Sequence, residues 1–203
     1  MAIHRLDLDD ETGRVDAKTR RVADAFRKVL EALELDLDDP NLAGTHLRVA
    51  RAYNELFAGL ESEEPRLRTF PNRDGYSEMV TVLDVPFYSL CAHHFLPFFG
   101  SAHVGYIPRE RIVGLSKLAR AVEHYARRPQ IQERMTEQIL GLLRDRLSPI
   151  GAMVVVQARH LCVEMRGVSK PGVLTTTSAI FGAFDDAGVR QEFLSLLPHQ
   201  KSA

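Results

Sequence analysis

The spacing of apolar residues changes near residue 79, and that change limits what this chain can fold into. Ahead of it the spacing is helical. Val22, Ala23, Phe26, Val29, Leu30 and Leu33 mark an amphipathic helix over about 16–35. A polar bend, DLDDPNLAG, follows. A second helix is expected from about Thr45, an N-cap candidate, to Phe57, burying Val49, Tyr53 and Leu56. The stretch EEPRLRTFPNRDGYS carries Pro, Gly, Asn and Asp and reads as a loop. Beyond it, apolar runs of strand length occur at 79–85 and 98–107. Helical spacing returns over 114–128 and 130–147, split by Pro129. Strands are expected again at 153–158 and 173–184, and a short helix over about 187–197. Helices first, then a strand–strand–helix–helix–strand–strand block, predict an α+β chain with an antiparallel sheet.

A chain of 203 residues can bury one sizeable core. We expect a single domain over 16–203, helical over about 16–60 and sheet-based over about 76–197, behind a flexible acidic arm at 1–15. Lys and Arg total 26 against 27 Asp and Glu. So balanced a charge gives no ground to expect nucleic acid or membrane as a partner, and an anionic ligand must be held by a local basic cluster. No apolar run approaches the roughly 18 residues of a membrane span. The N-terminus, MAIHRLDLDDETGRVD, lacks a signal-peptide stretch, and a cytoplasmic location is expected. The two cysteines, Cys91 and Cys162, are then expected free or metal-bound rather than disulfide-linked.

Both cysteines sit close to histidines. In Ser89-Leu-Cys-Ala-His-His-Phe95, Cys91 and His94 have C-x-x-H spacing, which lets a tight turn aim a thiolate and an imidazole at one point. His160-Leu-Cys162 follows the strand MVVVQA. If the strand continues, His160 and Cys162 share a face. Cys91, His94 and Cys162 would leave a fourth position open, the layout of a catalytic zinc site. The competing reading is two packed core thiols and, at His93, a hydrogen-bonded structural histidine.

Ser116, Lys117 and Arg120 fall at a helix start, where free N–H groups and the helix dipole favour anions. Lys and Arg added there suit a polyphosphate, and a solvated basic face is the alternative. Glu133 stands near another helix start. It either compensates the dipole or accepts hydrogen bonds from a purine's amide and amino edge.

Four segments in order, Cys91-Ala-His-His94, Gly114-Leu-Ser-Lys117, Arg128-Pro-Gln-Ile-Gln-Glu-Arg134 and His160-Leu-Cys-Val-Glu-Met-Arg-Gly167, resemble the GTP cyclohydrolase I family. The threonines from Thr175 to Ser178 and the segment near Glu192 add to the likeness, which covers roughly 20–197. The resemblance implies the tunnelling fold, an antiparallel sheet with helices packed on one side. It implies a homodecamer of two face-to-face pentamers with active sites between subunits. It assigns zinc to Cys91, His94 and Cys162, and proton handling to His93 and His160. Gln132 and Glu133 are assigned to the guanine. Ser116, Lys117, Arg120 and Arg166 are assigned to ribose and triphosphate, with Arg48 as a further phosphate contact. Two positions depart from the family pattern. Thr45-His-Leu-Arg48 lacks the usual proline, and Ala92 stands where the family has glutamate.

The implied reaction is hydrolytic opening of the guanine imidazole ring of GTP at C8, with His160 assisting at N7. Formate is released and the rest rearranges to 7,8-dihydroneopterin triphosphate, the first step of pterin and folate synthesis. Ala92 keeps a second reading open: a divergent homologue that stops at a ring-opened intermediate or only binds zinc and nucleotide. A nitrile reductase of the same fold is disfavoured, because Cys91 is better explained as a ligand than as a nucleophile.

Overall fold

The computed structural model describes residues 15–198, so most of the N-terminal arm lies outside the described residues. The chain divides into two compact units, one up to Glu55 and one from Leu56 onward. In the first, α1 spans Ala17–Ala32 and α2 spans Thr45–Leu56. Asp16 caps α1, accepting from the backbone N–H groups of Lys18 and Thr19. The Asn54 side chain donates to the buried Thr19 hydroxyl and ties α2 to α1. Of the expected stripe, Ala23 and Leu30 are buried, whereas Val29 and Leu33 are exposed in the single chain.

The second unit is built on a five-stranded sheet of order β5-β2-β3-β6-β7. Its strands are β2 (Val80–Cys91), β3 (Pro97–Ile107), β5 (Pro129–Gln130), β6 (Gly151–His160) and β7 (Leu174–Gly182). All neighbours are antiparallel except β5, which lies parallel to the end of β2. The long helices α3 (Leu115–Ala126) and α4 (Gln132–Leu147) pack on one face. Alternation along the strands supplies that face: Ala152, Val154, Val156 and Ala158 of β6 join Leu118, Val122, Ile139 and Leu143 of the helices in one core. The odd-numbered partners Met153 and Val155 point the other way. There they meet Phe184 and Phe193, the latter on the short α6 (Ala187–Leu196). The expected α+β class, with the long helices on one side of the sheet, is the arrangement found.

Two short strands, β1 (Thr69–Pro71) in the segment read as a loop and β4 (Arg111–Val113) in a stretch given no element, pair with each other apart from the main sheet. Close approach of β3 to β6 depends on glycine. A Cβ on Gly100 would lie 1.9 Å from the Gln157 carbonyl oxygen.

Candidate metal centre and its neighbours

Cys91 is the last residue of β2 and is buried. The chain turns at once: Phe95 donates its N–H to the Cys91 carbonyl at 2.8 Å, and the Cys91 N–H bonds to the Leu96 carbonyl at 2.9 Å. Phe95 takes a left-handed conformation, φ 54°. The Ala92 N–H donates to the Gln130 carbonyl at 2.8 Å, so main-chain bonds hold this turn without help from the residue-92 side chain. Gln130 is itself buried, its amide donating to the Tyr125 carbonyl and to Gln138, and its oxygen accepting from Arg134.

The expected continuation of β6 through Cys162 does not occur. The strand ends at His160, and Leu161–Glu164 form a single helical turn, α5. That turn swings the Cys162 thiol to Cys91. The donor atoms of Cys91, His94 and Cys162 all lie within 4.8 Å of one another, with Cys91 Sγ 3.7 Å from His94 Nδ1. In a tetrahedral zinc site, Zn–S near 2.3 Å and Zn–N near 2.0 Å place sulfur and nitrogen about 3.6 Å apart. The donor set and its spacing therefore fit zinc. Burial raises the Cys162 thiol pKa, the neighbouring Cys91 raises it further, and Arg166 opposes the rise. His93 is exposed, its Nδ1 3.8 Å from Cys91 Sγ.

His160 is half-buried, and its ring lies flat on Phe98, with centroids 4.7 Å apart and planes 2° apart. Burial pushes its pKa down, against the pull of the Glu133 and Glu164 carboxylates. Its Nε2 is 2.7 Å from Oε1 of Gln132. Gln132, expected at the guanine, is only 2% exposed. Its amide nitrogen donates to the carbonyls of Val156 (3.0 Å) and Thr175 (3.1 Å) and to the Thr177 hydroxyl (3.2 Å). Its side-chain amide is thus engaged at both ends, whereas Glu133 beside it is exposed. The threonine segment is thus the seat of the Gln132 amide. Sequence reasoning missed Phe98, Thr177 and Gln130. The signal for Gln130 was its place within the third segment and for Thr177 its place in the 175–178 stretch, and their partners appear only on folding.

The remaining residues lie elsewhere. Ser116, Lys117 and Arg120 open α3, whose N-cap, Gly114, adds no side-chain bond. The residue before it, Val113, donates its N–H to the Tyr106 hydroxyl at 3.2 Å. Tyr106 pairs with Val80 at one end of the sheet, whereas Leu90, beside Cys91, pairs with Pro97 at the other. From Phe98 to Tyr106 the strand rises about 26 Å, at ~3.3 Å per residue. The basic helix start and the thiol cluster therefore occupy opposite ends of one sheet. Arg48 belongs to the first unit, where its guanidinium donates to the carbonyls of Asn41 and Ala43 and to the Thr45 hydroxyl.

Two thiols, an imidazole and a seated histidine at the end of an antiparallel sheet are the equipment of a metal-assisted hydrolase. The family model described as GTP cyclohydrolase I matches residues 22–198. Relatives named GTP cyclohydrolase 1 align along nearly their whole length. That of Geobacillus kaustophilus (strain HTA426) is 51% identical over 175 residues, 85% of this chain and 93% of the relative. Those of Carboxydothermus hydrogenoformans and Streptomyces coelicolor are each 48% identical, over 87% and 95% of this chain and 93% and 96% of their own. The chain belongs to the GTP cyclohydrolase I family.

Proposed function

We propose that this chain hydrolyses GTP at the guanine imidazole ring, releases formate and yields 7,8-dihydroneopterin triphosphate. The observation that carries the reading is the convergence of Cys91, His94 and Cys162 next to His160, in a chain about half identical to relatives of that name. Zinc is the ion that the two thiols and one imidazole fit, and when bound it supplies the Lewis acidity that activates water for hydrolysis. His160 handles the proton at guanine N7, and His93 is the second proton carrier. The Glu133 carboxylate accepts from the N1–H and amino group of guanine. Ser116, Lys117, Arg120 and Arg166 hold ribose and triphosphate, with Arg48 as a further phosphate contact.

Ser116, Lys117 and Arg120 do not meet the metal cluster within one copy, because the start of α3 and the end of β2 lie at opposite ends of the sheet. A complete site needs the α3 start of a second copy. The sheet supports such an association. Among the described residues, β7 is paired only through β6, and β2 has an outer neighbour only at Leu90 and Cys91. Two open edges invite head-to-tail pairing that closes a ring. The homodecamer of two pentamers implied by the family is the assembly we propose.

Formate release from GTP by purified, zinc-loaded protein tests the reading. Turnover that falls steeply to a small residual rate in His160→Ala while zinc is kept supports it. Binding of GTP without formate release would favour the silent homologue instead.

A further inference from the structure

Gln132 is bonded so that its amide can face only one way. Its nitrogen sits among three acceptors, the carbonyls of Val156 and Thr175 and the Thr177 hydroxyl, which in turn lies 2.7 Å from the Thr136 hydroxyl. Reversing the amide would set its oxygen against two carbonyl oxygens, so Oε1 must point at His160. An oxygen without a hydrogen only accepts, so the 2.7 Å contact requires that Nε2 of His160 carry the proton. Phe98, stacked flat against the ring, fixes its plane. One nitrogen is then committed to Gln132. Nδ1, for which no hydrogen bond is found among the described residues, is the one left to meet a ligand.

We propose that Gln132 is a positioning residue that locks His160 in the Nε2–H tautomer, so that Nδ1 is the atom that exchanges a proton with the substrate. The proposal rests on the proton-handling role of His160 given above. In the step it describes, Nδ1 of the doubly protonated ring gives its proton to the purine nitrogen. The N–H electron pair stays on the ring as the Nδ1 lone pair, and the Nε2–H bond to Gln132 persists throughout. Fixing ring and tautomer in advance removes a reorganisation from the reaction, as the partners of metal-site histidines do.

The test is a double-mutant cycle in the zinc-loaded full-length protein. Gln132→Met keeps length and removes both halves of the amide. Gln132→Glu keeps an acceptor toward Nε2 when its second oxygen carries a proton to meet the Val156 or Thr175 carbonyl. We expect Gln132→Met to lower kcat for formate release by about 10–100-fold with KM for GTP and zinc content unchanged. Gln132→Glu should retain more activity than Gln132→Met. In a His160→Ala background, Gln132→Met should cost nothing further. The nitrogen shifts of 15N-labelled histidine, assigned by difference from His160→Ala, should show a single protonated Nε2 that becomes a tautomer mixture in Gln132→Met. A raised KM at unchanged kcat would place Gln132 at the base and overturn the proposal. So would losses in Gln132→Met and His160→Ala that multiply. If His160→Ala itself turns over normally, the reading of His160 fails instead, whereas the nitrogen shifts still decide whether Gln132 sets the tautomer. If Gln132→Met is too unstable to purify, the shifts and kinetics of Gln132→Glu decide alone, and an unprotonated Nε2 in the unmutated protein overturns the proposal.

Discussion

Arg159 and Glu164 grip each other across the turn that carries Cys162, with guanidinium nitrogens 2.6 and 2.8 Å from the two carboxylate oxygens. Arg159 is the next-to-last residue of β6 and Glu164 ends α5, so the pair brackets His160, Leu161, Cys162 and Val163. Glu164 is nearly buried, and its carboxyl is held below its ordinary pKa, chiefly by the bond to Arg159. The pair therefore fixes where the strand stops and where the thiol points.

Glu164→Ala removes that grip without touching a metal-binding atom. Zinc affinity should fall about 10–100-fold, read by competition with a chromophoric chelator. Arg159→Ala should give the larger loss, because it strands the buried Glu164 carboxylate without its partner, whereas Glu164→Ala leaves an exposed guanidinium to water. Unchanged affinity in both would show that the turn is held by its backbone alone.

Gly100 lies where β3 and β6 come closest. Any side chain there must push back the Gln157 carbonyl, which is main chain and part of the same ladder. Gly100→Ala should destabilise the protein by about 1–3 kcal/mol, measured as a shift of the urea midpoint. A midpoint within error of the parent would mean that the strands part without cost.

Tyr125 and Glu64 give the stability a defined pH window. The Tyr125 hydroxyl donates to Glu64 at 2.7 Å, and Arg146 adds a second bond at 3.0 Å. The Glu64 carboxyl pKa is lowered, chiefly by the bond from Tyr125. The phenol pKa is raised, by burial first and then by Glu64. A lowered carboxyl contributes stability above its unfolded value, about 4.3, and loses it as the pH falls through the folded value. A raised phenol contributes stability below its unfolded value, about 10, and loses it as the pH rises further. Tyr125→Phe should cost about 1–2 kcal/mol at neutral pH, and the cost should shrink toward either limit. Urea unfolding at several pH values reads both limbs, and a pH-independent cost would sink the account.

How much of this was visible beforehand depended on range. The strands 98–107 and 153–158 showed as apolar runs of strand length, and 153–156 is buried on both faces of the sheet. β1, β4 and β5 did not, since two or three residues carry no periodicity and Pro71 and Pro129 read as breaks. The spacing of Cys91 and His94 was legible because a tight turn decides it locally. Cys162 was paired with them for a reason the structure replaces: a helical turn, not a continuing strand, brings it round. Gln132 was assigned to the guanine by the family resemblance alone. Only the meeting of α4 with β6 and β7 shows its amide to be enclosed.

Separation of the α3 start from the thiol cluster predicts complementation. Chains carrying Cys162→Ser and chains carrying Lys117→Ala should each be nearly inactive alone. Co-assembled at random in equal amounts, they should recover about a quarter of the parent activity, because the proposed site takes one intact half from each neighbour. Zero recovery in mixed particles would place both halves in one chain.

The length of β3 then becomes a matter of inheritance. An allele with one damaged half, expressed beside an equal dose of the intact gene, would disable about half of the sites in mixed particles, in proportion to dose. An allele damaged in both halves would leave only about a quarter, because each such chain spoils the site on either side of it. The second lesion would behave as partly dominant although neither lesion poisons a neighbour's own residues. The distance between two ends of a single strand would set how damage in one copy of the gene is felt by the other.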